Sequence, residues 1–298
     1  MTDFTRRRIL TTGTFAAAGL TTTVAAVGQA RKSNASSTSP EPVAMAANPG
    51  GGFAEKVVLI TGATSGIGEA TAKAFAQKGA SVFFCGRRED LGQQVEAKIR
   101  DMGGEATYMK ADVRNAPEVK TFVDSCIAKY GRLDIAFNNA GIDYPPANIA
   151  ETDIDEFDDL MSTNARGVFL GMKYEIPHLL ETSGSIINNA SIGGHRAFPN
   201  IIGYGASKAA VIHMTKMAAQ EYGKTIRINV IAPGGVDTPM WERVQRDWGV
   251  TEEQLVAPYP MQRVAQPEEI TNAVMWLASD SASYVSGMRF DIDGGGLG

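Results

Sequence analysis

Lys56-Val57-Val58-Leu59-Ile60-Thr61-Gly62-Ala63-Thr64-Ser65-Gly66-Ile67-Gly68 decides how the rest of the chain is read. Residues 56–60 are a short apolar run rich in β-branched side chains, the composition of a strand buried on both faces. Glycines 62, 66 and 68 then supply a tight turn, and Glu69 to Lys78 carries an amphipathic helical pattern. Strand, glycine turn and helix in this order aim backbone N–H groups and the positive end of a helix at one point, where a pyrophosphate is favoured. A nucleoside-triphosphate P-loop is excluded, because no Gly-Lys followed by Ser or Thr closes the turn.

Outward from this unit, apolar runs recur near residues 56–61, 81–85, 105–110, 133–137, 184–189, 226–231 and 288–292, with helical stretches between them. Strands that alternate with helices need crossover connections, which place helices on both faces of a sheet. The expected fold is therefore α/β: a single doubly wound Rossmann domain, a mostly parallel sheet of about seven strands. Residues 53–298 provide 246 residues, enough for one well-filled core, and neither an internal repeat nor a second domain is visible. Ligands of such folds lie at the carboxyl ends of the strands, where Asn138 ends the fourth run and Ser191 follows the fifth.

Chemistry enters with Tyr204-Gly205-Ala206-Ser207-Lys208, preceded thirteen positions earlier by Ser191. On a helix, the i,i+4 spacing puts the phenol and the ammonium on one face. A phenol titrates near ~10, and a neighbouring cation favours its ionised form. With a serine hydroxyl beside them, the pair reads as a carbonyl/alcohol redox site. Tyr-x-x-x-Lys alone occurs by chance; the surrounding motifs give it weight.

These segments together resemble the short-chain dehydrogenase/reductase family, nicotinamide-dependent oxidoreductases built on a single Rossmann domain. The likeness runs from about Phe53 to the C-terminus through the Thr61 to Gly68 turn, Asn138-Asn139-Ala140-Gly141, Asn164, the Ser191, Tyr204 and Lys208 set, and Pro233-Gly234. The resemblance implies interconversion of a secondary alcohol and a ketone by hydride transfer. Tyr204 would be the general acid or base, Ser191 would polarise the substrate oxygen, and Lys208 would hold the ribose hydroxyls and lower the phenol's pKa. Asn164 would keep a water that passes protons to Lys208. Thr61, Gly62, Ser65, Gly66, Ile67 and Gly68 would cradle the dinucleotide, with Asp112 and Val113 at the adenine. Asn138, Ala140 and Gly141 would back it, and Pro233, Gly234, Val236 and Thr238 would face the nicotinamide end. Plainer readings stay open at single positions: Asn138 and Asn139 as turn formers, Asp112 as a helix cap, Asn164 as a solvated polar residue. The resemblance also implies a homotetramer or homodimer built through the long helices after strands four and five.

Charge argues for the cofactor. An acid at the end of the second strand takes the ribose hydroxyls in NAD-preferring Rossmann domains, whereas an Arg accommodates a 2′-phosphate. Here the strand ends in Gly86-Arg87-Arg88. Gly86 leaves room and Arg87 offers a planar fork of donors, so NADP(H) is expected, with NAD(H) the alternative. Arg88, beside Glu89 and Asp90, reads either as a second phosphate contact or as surface charge.

Residues 237–262 contain Met240, Trp241, Trp248, Val250 and Tyr259, and the resemblance makes this region a lid over the substrate. Trp241 and Trp248 fit either a pocket wall or packing onto the domain or a partner. Tyr144, Pro145, Pro146 and Phe198 offer another wall, and His195 falls where it could touch substrate. Cys85 and Cys126 read as unpaired core thiols, with no metal-ligand spacing. Two competing functions stay in view: an NAD-linked polyol or sugar dehydrogenase, and a dinucleotide sensor without turnover.

The N-terminus differs in character. Thr5-Arg6-Arg7-Arg8-Ile9-Leu10 precedes an uncharged stretch, Thr11 to Val27, diluted by Thr and Gly. It resembles a twin-arginine export signal over residues 1–30, with export to the periplasm expected and cytoplasmic residence the alternative. A stable membrane span is disfavoured by the same Thr and Gly. Residues 31–52 read as a Ser-, Ala-, Pro- and Gly-rich linker. The whole chain carries −5, and removing residues 1–30, with one Asp and three Arg, leaves −7. No basic face for nucleic acid emerges.

Overall fold

The structure is a computed structural model that describes residues 52–296. The export signal expected over 1–30 and nearly all of the linker expected over 31–52 lie outside the described residues.

Seven strands form one sheet: β1 (Val57–Thr61), β2 (Ser81–Gly86), β3 (Glu105–Lys110), β4 (Ile135–Asn138), β5 (Ser185–Asn189), β6 (Arg227–Pro233) and β7 (Arg289–Ile292), in the spatial order β3-β2-β1-β4-β5-β6-β7. Every neighbouring pair is parallel, with Leu59 opposite Phe83 on one side and Ala136 on the other. All five residues of β1 are buried, as a strand covered on both faces requires.

The period of two along the strands sorts the core into halves. Val57, Leu59, Phe83, Ala136 and Ile186 face one side, packed with α3 (Ala116–Tyr130), α5 (Gly167–Thr182) and α6 (Ile202–Tyr222). Val58, Ile60, Phe84, Phe137 and Ile187 face the other, under α1 (Gly66–Gln77), α2 (Glu89–Asp101) and α9 (Pro267–Ala278). Each fully buried Ile, Leu or Phe contributes roughly 1.5–3 kcal/mol, so the two layers hold the sheet rigid beneath its carboxyl edge. The smaller α4 (Ile154–Leu160), α7 (Pro239–Trp248) and α8 (Glu252–Val256) lie along that edge's connections. The sheet is the doubly wound arrangement expected from the sequence. Cys85 and Cys126 are buried and free, and burial pushes both thiols up to about 12, which makes them inert packing groups.

Candidate active site

From β1 the chain moves to β2 and β3 on one side of the sheet, while β4 flanks β1 on the other. The loops leaving β1 and β4 therefore diverge, and a crevice opens between them. It widens into a cleft of about 870 Å³. Of the residues singled out from sequence, Gly62, Ser65, Gly66, Ile67, Arg87, Arg88, Val113, Ala140, Gly141, Ser191, Tyr204, Lys208, Pro233, Gly234, Val236 and Thr238 all line it. They come from six different strand ends, which only the fold brings together.

One end of the cleft is built for an anion. Gly62 has φ 69°, and a Cβ there would stand 2.6 Å from the Ala140 backbone, so neither the turn nor the β1–β4 approach tolerates a side chain. Ser65 precedes α1 in extended conformation without capping it by its side chain, which leaves first-turn N–H groups facing the cleft. Instead the Ser65 hydroxyl accepts from Arg88 Nη2 at 2.7 Å, and Thr64 Oγ1 accepts from the same atom at 2.9 Å. Arg88 is thus anchored across the glycine turn. Burial lowers its pKa, and Arg243 and Arg87 nearby lower it further. Three guanidinium groups crowd one rim, an arrangement that an anion would relieve. Arg87 has no protein hydrogen bond among the described residues and lines the same rim, exposed. Gly86 lines the cleft beside Thr64, and a Cβ there would meet the Thr64 methyl at 2.6 Å, so this glycine also serves the packing of the turn on β2.

At the other end, α6 starts at Ile202 and carries Tyr204 and Lys208 one turn apart, with the Lys208 ammonium 5.8 Å from the Tyr204 ring centroid. Lys208 is buried and donates to the Asn189 carbonyl at 2.9 Å. Burial lowers its pKa to about 8. Ser191 Oγ accepts from the Gly193 N–H at 3.1 Å, leaving its own proton free to donate. Burial pushes the Tyr204 phenol up to about 12; Ser191 opposes this and the Asp143 carboxylate adds to it. The sequence suggested a phenol brought down by Lys208. In the structure burial both weakens the ammonium and holds the phenol protonated, and Lys208 is not among the groups that shift the phenol.

Five of the residues given a catalytic or cofactor role from sequence stand behind the cleft and do not line it, and of the substrate-wall candidates Pro145, Pro146 and Val250 do not line it either. Thr61 Oγ1 accepts from the N–H groups of Asn139 and Ala140 at 3.0 and 3.1 Å, tying β1 to the β4 loop. Gly68 packs α1 onto that junction, beside Asn139. Asn138 is 1% exposed and donates to Glu175 and Asn188 at 3.0 Å each, so it reinforces β4 and β5 and does not back a ligand. Its neighbour Asn139 lines the cleft, with its amide on the Thr61 and Gly62 carbonyls. Asp112 faces Arg114 in a fork at 2.6 to 3.1 Å, and the cap of α3 is Asn115, so Asp112 neither lines the cleft nor caps that helix. Asn164 is fully buried in a π-helical turn, Met161–Arg166, which excludes a solvated role. Its amide donates to the Ile142 carbonyl and Ser207 Oγ, and its oxygen accepts from the Ile142 N–H at 2.8 Å. His195 turns away as well. Its Nε2 lies 3.2 Å from Asp291 Oδ1 on β7, without hydrogen-bonding alignment, and it lines no part of the cleft.

The remaining wall is apolar. Tyr144, Phe198, Met240, Trp241, Trp248, Leu255 and Tyr259 line it, so both tryptophans face the cleft. Thr238 caps α7, accepting from the Trp241 N–H at 3.3 Å. Asp143 and Arg243 also line the cleft and pair at 2.6 Å; the sequence reading passed over both, since neither belongs to a motif.

A family model described as enoyl-(acyl carrier protein) reductase matches residues 62–296. The cyclohexanol dehydrogenase of Acinetobacter sp. (strain SE19) is 39% identical over 244 residues, spanning 81% of this chain and 95% of that protein. Levodione reductase superposes with a TM-score of 0.79 at 36% identity, covering 82% of this chain and 98% of that one. A 3-ketoacyl-(acyl-carrier-protein) reductase from Brucella melitensis, solved in complex with NADH, gives 0.76 at 34% identity over 82% of this chain and 98% of that one.

Proposed function

The chain belongs to the short-chain dehydrogenase/reductase family of oxidoreductases acting on CH–OH groups, and on that premise we propose that it interconverts a ring-bearing secondary alcohol and its ketone with NADP(H), Tyr204 handling the proton. The observation that carries this reading is the meeting of Ser191, Tyr204 and Lys208 in one cleft with the glycine turn and Arg87. The apolar wall and the likeness to a cyclohexanol dehydrogenase support a cyclic substrate.

The residues present fit a dinucleotide: uncapped N–H groups of α1 for the pyrophosphate, Arg87 and Arg88 for a 2′-phosphate, and the Lys208 ammonium for ribose hydroxyls. When bound, the nicotinamide supplies or takes the hydride. Ser191 donates its free proton to the carbonyl oxygen and fixes it against the phenol. Tyr204, protonated at neutral pH, then gives its proton to that oxygen in reduction and must be ionised to take one in oxidation. Asn164 contributes by pinning Ile142 to α6 beside Lys208; passage of protons to solvent through a water held there is the role the resemblance gives it.

Purified protein offered cyclic ketones with NADPH or NADH should consume NADPH preferentially. Tyr204→Phe should lose on the order of 10²–10⁴ in kcat while binding the cofactor as before. A parent protein that binds the cofactor and turns over no carbonyl or alcohol would favour the sensor reading. Export and self-association remain part of the proposal. Replacing Arg6 and Arg7 by Lys and fractionating cells tests export, which fails if all activity is cytoplasmic in the parent. Exposed Phe169 on α5 and Met217 on α6 support association through these helices, and sedimentation of the parent should give a dimer or tetramer.

A further inference from the structure

The apolar wall of the cleft carries two polar hydrogens that no protein atom takes. Tyr259 and Trp248 both line the cleft, and neither the phenol nor the indole N–H has a protein partner among the described residues. The polar groups around them are engaged. Hydroxyls at the glycine turn accept from Arg88, Tyr144 donates to Asp159 at 3.0 Å, and Trp241 Nε1 donates to Glu252 at 3.3 Å. Ser191 and Tyr204 meet at Gly193, where a Cβ would lie 3.5 Å from Ser191 Oγ and from Tyr204 Cε1. Charge is matched as well, since Arg243 Nη2 donates to Asp143 Oδ1 at 2.6 Å. What this wall keeps for a ligand is therefore neutral hydrogen bonding.

Of the two groups, Tyr259 is the better fixed. Trp248 ends α7, none of whose residues is buried. Tyr259 sits in the turn after α8, its N–H on the Val256 carbonyl at 2.8 Å and its carbonyl accepting from the Gln262 N–H at 2.9 Å. Gly294-Gly295-Gly296, beyond β7, lies flat against this turn. The Met261 N–H donates to the Gly294 carbonyl at 3.2 Å, and a Cβ at Gly296 would run into Tyr259 Cδ1 and Cε1. The ring thus takes the space that a side chain at 296 would fill. The same glycine ties the ring to the loop of Ser191. On that loop the Arg196 N–H donates to the Ile192 carbonyl at 2.8 Å, and its Nη1 donates to the Gly296 carbonyl. A continuous path of contacts therefore fixes Tyr259 relative to Ser191.

Resting on the reaction proposed above, we infer that the substrate is a neutral ring compound with two oxygen functions, a hydroxyketone, diol or dione, and that Tyr259 selects it. The first oxygen is the one that Ser191 and Tyr204 handle. The second is held by the Tyr259 hydroxyl, which donates to a carbonyl and can donate to or accept from a hydroxyl. Hydride and proton add to, or leave, the first centre only, so the second oxygen is neither oxidised nor reduced. A ring with one oxygen covers the Tyr259 hydroxyl and leaves it unpaired, and this is the source of the discrimination. An anionic substrate would find the Arg243 guanidinium already taken by Asp143.

The full-length protein with NADPH is offered 4-hydroxycyclohexanone and cyclohexanone, and the ratio of their kcat/KM values is compared between parent and variants. The parent should favour the hydroxyketone roughly tenfold, and Tyr259→Phe, which keeps a ring against Gly296, should bring the ratio to about one. Gly296→Ala, which displaces the ring with its hydroxyl intact, should lower the ratio too. A preference lost in Trp248→Phe and kept in Tyr259→Phe would overturn the assignment to Tyr259, and a parent ratio near one would overturn the substrate class. Tryptophan fluorescence separates this inference from the reaction itself, because Trp241 and Trp248 line the cleft. With NADP+ bound, cyclohexane-1,4-diol should quench the parent at roughly tenfold lower concentration than cyclohexanol, and Tyr259→Phe should not distinguish them. That result in a protein without turnover would keep the role of Tyr259 and sink the proposed reaction. Turnover of both ketones, with equal binding or none of the two alcohols, would keep the reaction and sink the inference.

Discussion

At the level of single residues, the proposed preference for NADP(H) rests on Arg87. It has an exposed guanidinium with no protein partner among the described residues, beside Arg88, whose Nη2 alone is held by Thr64 and Ser65. A free fork of donors can meet a phosphate bidentately, and a charge-assisted hydrogen bond of this kind contributes about 1.5–3 kcal/mol. Arg87→Asp removes the fork and places an acid where ribose hydroxyls would lie, so the NADPH-to-NADH ratio of kcat/KM should fall by roughly tenfold to a hundredfold or reverse. Equal ratios in parent and variant would remove Arg87 from the site. The phenol makes a second residue-scale expectation. Held up to about 12 by burial, the Tyr204 phenol, the proposed acid, is protonated across the neutral range, while Lys208, lowered to about 8, sheds its charge as pH rises past that point. Ketone reduction should therefore be flat with pH until Lys208 deprotonates, and alcohol oxidation should climb into the alkaline range. A rate of oxidation independent of pH would contradict this.

Elements explain both what the sequence revealed and what it hid. The strands were legible because short runs rich in apolar residues, most clearly β1 and β6, alternate with helical stretches, and the β1 turn because Gly62 has no substitute where a Cβ would strike the Ala140 backbone. Tyr204 and Lys208 were legible because helical spacing alone puts them together. The direction in which Asn138 points was not. A strand buried on both faces shows no alternation of polar and apolar residues, so nothing local says that residue 138 looks to Glu175 while residue 139 looks to the cleft. His195 was misjudged for a related reason: proximity to Ser191 in the chain says nothing about Asp291, 96 positions later. The π-helical turn at Met161–Arg166 was equally silent, since no residue pattern marks it, yet it carries Asn164 into the interior. Asn164→Ala would leave the Ile142 N–H and C=O without partners, and at about 1–3 kcal/mol per orphaned buried group the loss should total on the order of 2–6 kcal/mol. Urea unfolding measures it, and a parent-like midpoint would mean that water replaces the amide at no cost.

For the molecule as a whole, the same buried polar layer that positions the site should leave a mark on stability. Glu175, on α5 and 1% exposed, receives a hydrogen bond from Asn138 at 3.0 Å, yet burial raises its pKa from 4.5 to about 7. The unfolded chain releases this proton near 4.5 and the folded chain holds it to about 7. Between those values the folded state binds the extra proton, so stability falls as pH rises through the window; the contribution is complete below it and absent above it. Its size is on the order of 3 kcal/mol. Asp134 works in the opposite sense. Burial alone would raise it, but Arg132 at 2.6 Å and the Val57 N–H at 3.0 Å bring it below the usual carboxylate value, and its contribution is lost only as the solution turns acid. The molecule is therefore expected to be most stable in mildly acid solution, between these two titrations. Glu175→Gln keeps an acceptor for Asn138 and cannot ionise, so it should abolish the decline on the alkaline side and be the more stable protein above about pH 7. Urea midpoints of parent and variant from about pH 4 to about pH 8 decide the matter, because two curves with the same slope would mean that the carboxyl under β4 does not hold its proton in the folded state.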